Sequence, residues 1–178
     1  NLPTFIDADT GWGEAMNVAR TVQEFEDAGV AGMHLEDQVN PKRCGHLDGK
    51  EVVSTAEMVK RISAAVKGRR DSNFVLCART DSRAKEGLDA AIDRAKAYAD
   101  AGADLIFPEA MSDLGEFEAM ANALDVPILA NMTEFGKSEL FTTEQLANAG
   151  VKLVIYPVTT LRIAMGAIKR GLEVIRRE

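Results

Sequence analysis

The sequence predicts an α/β chain of the (β/α)8 barrel type, and three observations carry that reading. A glycine joint recurs as Asp27-Ala28-Gly29-Val30-Ala31-Gly32-Met33, Asp100-Ala101-Gly102-Ala103-Asp104-Leu105-Ile106 and Asn148-Ala149-Gly150-Val151-Lys152-Leu153-Val154. Each ends a helix-like stretch at a glycine suited to a left-handed cap and then enters an apolar, strand-like run. Short apolar runs alternating with amphipathic helices require a parallel sheet buried on both faces. Polar residues stand at or just past the carboxyl end of one strand candidate after another, and in a closed barrel those ends form the single rim where chemistry gathers. An open doubly wound sheet would collect them at one switch point, and Thr10-Gly11-Trp12-Gly13 lacks the third glycine of a dinucleotide fingerprint.

Strand candidates occupy residues 4–9, 32–36, 74–79, 104–107, 126–131 and 153–156. After the first comes a helix with Ala15, Val18, Ala19, Val22 and Phe25 on one face. Ser54 with Glu57 has capping-box spacing and opens a helix after the second strand. Leu88, Ala91, Ile92, Ala95 and Tyr98 mark the face of the helix that follows the third. Thr142 with Gln145 opens another, and residues 163–176 read as a last helix. Residues 39–50, with Pro41, Gly45 and Gly49 and no periodicity, read as a mobile loop long enough to cover a site. Six strands are two short of a barrel that typically takes ~250 residues. The expectation is therefore one partial barrel domain over residues 1–178, a fragment of a longer chain.

At 46% hydrophobic content the 178 residues suffice for one sizeable core. Lys+Arg 21 against Asp+Glu 28 gives net −7, which argues against nucleic acid and anionic membrane as partners. An anionic substrate would need local help from a metal or from arginines. Two cysteines, Cys44 and Cys77, are too few for a disulfide framework and point to a reducing compartment, hence a cytoplasmic location. The sequence shows no signal peptide and no apolar stretch long enough to span a bilayer.

The richest segment is Lys42-Arg43-Cys44-Gly45-His46, a thiol set among two cations and an imidazole. Electropositive surroundings favour the thiolate of a group whose free pKa is about 8.5, so Lys42, Arg43, Cys44 and His46 are expected to act in proton or nucleophile chemistry. Glu36 and Asp37 lie a few residues upstream. Asp7 and Asp9, two apart on a strand, share a side and can offer oxygens to one hard cation. Carboxylates without an adjacent histidine suit Mg2+, or Mn2+, better than zinc, and Glu36 could extend that acidic wall with His34 beside it. Arg79 and Arg162 are the natural forks for substrate carboxylates. Cys77 shares the parity of Arg79, but its apolar neighbours mark it as structural.

Taken in order, Asp7-Ala8-Asp9-Thr10-Gly11, Glu36-Asp37-Gln38, Lys42-Arg43-Cys44-Gly45-His46, Ala78-Arg79-Thr80-Asp81, Phe107-Pro108-Glu109-Ala110 and Asn131-Met132-Thr133-Glu134-Phe135-Gly136 resemble the 2-methylisocitrate lyases of the isocitrate lyase and phosphoenolpyruvate mutase superfamily. The resemblance runs over essentially the whole chain. It implies a Mg2+-dependent retro-Claisen cleavage of a small tricarboxylate, 2-methylisocitrate, to pyruvate and succinate in the methylcitrate route of propionate catabolism. Asp7 and Asp9 resemble the metal-binding pair, Glu36 a carboxylate behind them, and Cys44 the thiol that protonates the succinate carbanion. Gly45 resembles a backbone donor to a substrate carboxylate, and Arg79, Glu109, Asn131, Thr133 and Arg162 resemble substrate-binding positions. The family's preceding strands, with a Tyr/Ser-Gly-Gly segment that supplies a base, and its C-terminal helical region, exchanged between subunits of a homotetramer, fall outside these residues. Isocitrate lyases carry a long insertion and usually Lys-Lys-Cys-Gly-His. A phosphonopyruvate mutase or hydrolase would have no use for Cys44, and a non-enzymatic remnant would rest only on the absent strands.

Overall fold

The computed structural model describes residues 2–47 and 49–177. Six parallel strands form the inner wall: β1 (Phe5–Asp7), β2 (Gly32–Glu36), β3 (Val75–Thr80), β4 (Leu105–Pro108), β5 (Leu129–Asn131) and β6 (Leu153–Ile155). They pair in chain order, β1 to β4 as one ladder and β5 with β6 as another, and a parallel bridge between Ile106 and Ile128 joins the two. Among the described residues no ladder connects β6 to β1. The wall is that of a parallel α/β barrel, and all six strands expected from the sequence are present.

Strand alternation sorts the side chains into two populations. Met33, Leu35, Leu76, Ala78 and Ile106 point outward into the larger core, where they meet Val18, Val22, Met58, Ile62, Ala91, Ala95 and Tyr98 of the surrounding helices. Cys77, Leu105, Phe107 and Leu129, with Phe5, Val75 and Ile155 against them, fill the barrel interior. Cys77 is therefore an interior packing residue, and burial pushes its thiol well above the ordinary range.

The helical layer consists of α1 (Ala15–Asp27), α2 (Thr55–Gly68), α3 (Arg83–Glu86), α4 (Leu88–Asp100), α5 (Leu114–Asn122), α6 (Thr143–Asn148) and α7 (Thr159–Arg177). Ser54 caps α2 by accepting from the Glu57 amide, and Thr142 with Gln145 makes the full reciprocal box at α6. The three joint glycines, at positions 29, 102 and 150, all have positive φ, so each helix closes on a residue without a Cβ penalty. The short α3 and the Asp113-capped α5 were not expected from the sequence; the Asp113 carboxylate accepts from the Glu116 amide in place of a Ser or Thr hydroxyl. Helix α7 buries none of its residues, and Leu161, Ile163, Ile168, Leu172 and Ile175 are exposed along it. No helix among the described residues is long and apolar enough to cross a membrane.

Candidate active site

The in-register row Glu36–Arg79–Phe107 and the row Asp7–His34 below it place charged groups at the carboxyl end of the barrel interior. Arg79 is the hub. It grips Asp81 with Nε and Nη2 (2.9 and 3.2 Å), reaches Glu36 Oε2 at 3.3 Å and Glu109 Oε2 at 3.1 Å, and lies 5.0 Å over the Phe107 ring. Burial works against its charge, but Glu109, Asp81 and Glu36 outweigh that and hold the guanidinium firmly protonated. Arg79 also lines a cavity of about 360 Å³ with Asp7, His34, Phe107, Asn131 and Tyr156. That cavity is of a size for a small organic acid.

Glu36 is fully buried, and neither of its carboxylate oxygens has a hydrogen-bond partner. Burial pushes its pKa up to about 7 in spite of Arg79. His34 Nδ1 and Asn131 Oδ1 are likewise buried without partners. Burial holds the His34 imidazole at about 4, so it is neutral at pH 7. Unsatisfied buried polar atoms are rare in folded proteins, and their concentration at one end of one barrel marks a place that waits for a ligand.

Asp7 and Asp9 do come together, though not by strand parity. β1 ends at Asp7, and Asp9 lies beyond it with φ of 49°, its amide bonded to Asp7 Oδ1 at 2.9 Å. The left-handed turn, an uncommon conformation for a non-glycine residue, brings the second carboxylate back over the first. Lys42 Nζ stands 2.8 Å from Asp9 Oδ1, 3.8 Å from Asp7 Oδ2 and 3.7 Å from Glu36 Oε1. The Lys42 bond holds Asp9 below the usual carboxylate range, and Trp12 Nε1 also donates to Asp9 at 3.2 Å. Desolvation of Lys42 is more than offset by the Asp9 bond and the Glu36 and Asp7 charges, so the ammonium stays protonated.

The residues fit a hard divalent ion. Asp7, Asp9, Glu36, Asp81 and Glu109 bring five carboxyl groups to the rim against Lys42, Lys50 and Arg79, and Glu36, though ion-paired, has no hydrogen bond to either oxygen. Among the described residues no group of three or more His, Cys, Asp or Glu side chains is arranged to hold a metal ion, so an ion here would rest on the Asp7–Asp9 pair and water. Mg2+ asks for one or two carboxylates and keeps its water, which agrees with an open pair and not with a zinc site.

The loop expected to be mobile is docked. Gln38 exchanges two hydrogen bonds with the Arg43 backbone (2.8 and 2.9 Å), and Lys50 donates to the Gly45 carbonyl and to Asp81 (3.0 Å). Gly45 is buried against Arg79 and Glu109 so tightly that a Cβ there would stand 2.5 Å from Arg79 Nη2 and 2.6 Å from Glu109 Cδ. His46 accepts from the Lys137 amide through Nδ1 at 2.9 Å, which puts its proton on Nε2, 3.0 Å from Glu109 Oε1. Burial would raise Glu109, but His46, Arg79 and Lys50 outweigh it and hold the carboxyl at about 2.

The cations read from the sequence as surrounding the thiol have other partners: Lys42 serves the carboxylates and His46 serves Glu109. Cys44 itself is exposed, on a loop whose neighbouring residue is seated on the site. Arg43 is exposed, and its backbone is what Gln38 holds. Asn131 joins the cluster through Glu109 at 3.4 Å. Thr133 lies beyond β5, its methyl group beside Gly136, in the turn that receives His46. Arg162, in the first turns of α7, binds Glu134 Oε2 at 2.9 Å and covers Phe135 instead of standing beside Arg79.

The sequence pair Glu36-Asp37 is split by alternation. Asp37 turns outward, accepting from Thr80 (2.7 Å), Tyr98 (2.8 Å) and the Asp81 amide (2.9 Å). Lys50 and Asp81 were the underrated members: the Lys50 side chain is only 5% exposed, but a lysine after a loop glycine gives no sequence signal of that burial.

Parallel strands that carry carboxylates, a hub arginine and a thiol-bearing loop at their carboxyl ends have the architecture of the α/β-barrel class, in which that rim is where sites are built. The chain matches the phosphoenolpyruvate phosphomutase family over residues 1–176 and belongs to it. It is 64% identical over 172 residues to the probable 2-methylisocitrate lyase 2 of Corynebacterium glutamicum, covering 97% of this chain and 56% of that protein. It is 54% identical over 177 residues to the 2-methylisocitrate lyase of Shewanella oneidensis, covering 99% and 61%. The crystal structure of 2,3-dimethylmalate lyase, a member of the phosphoenolpyruvate mutase/isocitrate lyase superfamily, superimposes with a TM-score of 0.94 at 38% identity, covering 99% of this chain and 60% of that one. The chain thus spans roughly three fifths of the length of these relatives.

Proposed function

We propose that the protein to which these residues belong is a Mg2+-dependent lyase that cleaves 2-methylisocitrate to pyruvate and succinate, in the cytoplasm, as a step of propionate catabolism. The observation that carries this reading is the seating of the Cys44 loop: Gly45 and His46 close onto Arg79 and Glu109, at the edge of a cavity lined also by Asp7 and Asn131. In this reading Cys44, exposed in the structure and next to the seated Gly45, reaches the substrate from the loop side of that cavity.

Asp7 and Asp9 are the residues that would hold Mg2+, with Glu36 behind them. Bound there, the ion supplies electrostatic stabilisation of the negative charge that develops on the substrate oxygen. Arg79 offers its Nη1 edge to a substrate carboxylate; Arg162, Asn131, Thr133 and the Gly45 backbone complete the recognition of the others. Glu109 holds Arg79 and His46 in place and, ionised at neutral pH, keeps the His46 proton on Nε2. Transfer of the substrate hydroxyl proton to a general base, which the resemblance assigns to a segment outside these residues, makes the carbinol carbon a carbonyl, breaks the bond to the succinyl carbon and leaves the electron pair there. Cys44 delivers a proton to that carbon as general acid. The exposed apolar side of α7 suits burial in an assembly, and we propose a homotetramer for the whole protein.

The structural relative, a lyase of 2,3-dimethylmalate, gives a second reading with the same bond cleavage and a smaller acid. Turnover of 2-methylisocitrate, isocitrate, 2,3-dimethylmalate and phosphonopyruvate measured side by side with Mg2+ tests both. A dominant kcat/KM for 2-methylisocitrate supports the proposal. Preference for phosphonopyruvate would overturn the reaction class.

A further inference from the structure

A run of buried polar groups crosses the barrel wall from the helical layer to the rim, and the reaction above uses none of its outer members. Arg94 of α4 donates through Nε and Nη2 to the two carboxylate oxygens of Glu86, at the end of α3 (2.7 and 2.8 Å). Its Nη1 donates to the Val53 carbonyl at 2.8 Å and to the Tyr98 hydroxyl at 3.1 Å. That hydroxyl donates in turn to Asp37 Oδ2 at 2.8 Å, where Thr80 also donates at 2.7 Å. Burial and the Asp37 charge push the Tyr98 phenol above its ordinary range, so it stays a donor. Asp37 Oδ1 accepts from the Asp81 amide at 2.9 Å, and the Asp81 carboxylate accepts from Arg79 and Lys50. The backbone of Asp37 joins the same layer: its amide donates to the Arg79 carbonyl at 3.2 Å and its carbonyl accepts from Val53 at 2.8 Å.

We propose that Asp37 is a positioning residue for the acid-binding arginine: locked by Tyr98 and Arg94, it fixes the Asp81 backbone and so sets the Asp81 clamp on Arg79 and Lys50. The proposal rests on Arg79 as receptor for a substrate carboxylate and adds groups on the far face of the wall that hold it. β3 ends at Thr80, so the ladder no longer fixes Asp81, and its amide goes to a side chain instead. Asp37, Thr80, Asp81 and Tyr98 are at most 1% exposed. A carboxylate and a phenol between sheet and helices are costly to bury where apolar side chains would pack. Once satisfied, such a network fixes one geometry. Recognition of a carboxylate by both edges of a guanidinium tolerates little error in orientation, which gives that fixed geometry a use at Arg79.

The experiment uses the full-length enzyme and whichever of the four acids above it turns over best, so the choice of substrate does not decide it. Tyr98→Phe keeps the ring packed and removes only the hydroxyl. Ala91→Gly, at a buried position of the same helix outside the network, lowers stability through helix propensity alone and is the control. Urea midpoints are recorded for both, and Tyr98→Phe is also made in an Asp81→Asn background. We expect Tyr98→Phe to lower kcat/KM by about tenfold, most of it as a raised KM. Ala91→Gly should stay within about twofold of wild type, and Tyr98→Phe should cost less than about twofold once Asp81 is already asparagine. Asp37→Asn, which offers one oxygen where two now accept, should lose at least as much as Tyr98→Phe. Wild-type kcat/KM in Tyr98→Phe overturns the proposal. So does an equal loss in Ala91→Gly, or a full additional loss in the Asp81→Asn background, since either reduces the network to general support of the fold. A substrate preference other than 2-methylisocitrate overturns the reading of the function, and the double-variant comparison on the preferred acid still decides the role of Asp37.

Discussion

Replacing Gly45 by alanine isolates the docking of the loop from every charged group in the site. The added methyl would stand 2.5 Å from Arg79 Nη2 and 2.6 Å from Glu109 Cδ, where about 3.5–4.0 Å is the distance of comfortable contact. Neither neighbour can yield: Arg79 is pinned by Asp81, Glu36 and Glu109, and Glu109 by Arg79 and His46. The loop must therefore lift by about 1 Å or more, which weakens the Lys50 bond to the Gly45 carbonyl and the His46–Glu109 contact. Hydrogen bonds to charged groups contribute about 1.5–3 kcal/mol each. Losing most of the Lys50 bond and stretching the His46–Glu109 ion pair costs roughly 2–3 kcal/mol, a factor of about 30 to 150 in the seated population. We expect kcat for 2-methylisocitrate to fall by about that factor, with faster alkylation of Cys44. The thermal midpoint should move by only a few degrees, because Gly45 belongs to neither hydrophobic cluster. Gly171→Ala on α7, where a Cβ meets nothing within 4 Å, is the control and should be silent. A Gly45→Ala enzyme with wild-type kcat would refute the role given to loop seating.

Asp7→Asn with Asp9→Asn should abolish Mg2+ binding and turnover while leaving the circular dichroism spectrum unchanged; full turnover in excess EDTA would rule the metal role out. Cys44→Ser should lower kcat by orders of magnitude with KM nearly constant, since a serine hydroxyl is a far weaker acid. Cys77→Ser should spare kcat but lower stability by about 1–3 kcal/mol, the cost of an unpaired hydroxyl in the barrel interior, as read by urea denaturation. Glu36 is raised from 4.5 to about 7, so the folded state binds the extra proton between those values and stability falls as pH rises through that window. Glu36→Gln should therefore gain about 2–3 kcal/mol relative to wild type at pH 8 and little at pH 4; a gain of the same size at both would contradict the burial argument. Glu109 runs the other way: it is depressed from 4.5 to about 2, so its contribution is present above 4.5 and lost as pH falls toward 2. Glu109→Gln should flatten that acid limb in an acid-denaturation series.

The alternation of apolar runs with helical periods, and the glycines that close the helices, determine the barrel wall by themselves, because both are local properties of backbone and burial. The same holds for the rim: Asp7, Glu36, Arg79, Glu109 and Asn131 stand at strand ends, and strand parity alone turns Glu36 inward and Asp37 outward. Sequence spacing could not say what the charged loop residues touch. Lys42 and His46 lie beside Cys44 in the chain, yet the fold gives them to Asp9 and Glu109, and Lys50 to Asp81. Those pairings depend on which distant strand ends the closed wall brings under the loop. The meeting of Asp7 with Asp9 was legible as a pair but not as a left-handed turn, since a positive φ outside glycine is held only by the contacts around it. The excess of acids was legible in the composition; only the tertiary structure showed that Lys42 is the ammonium set beside Asp7, Asp9 and Glu36, because the fold lays its loop across the ends of β1 and β2.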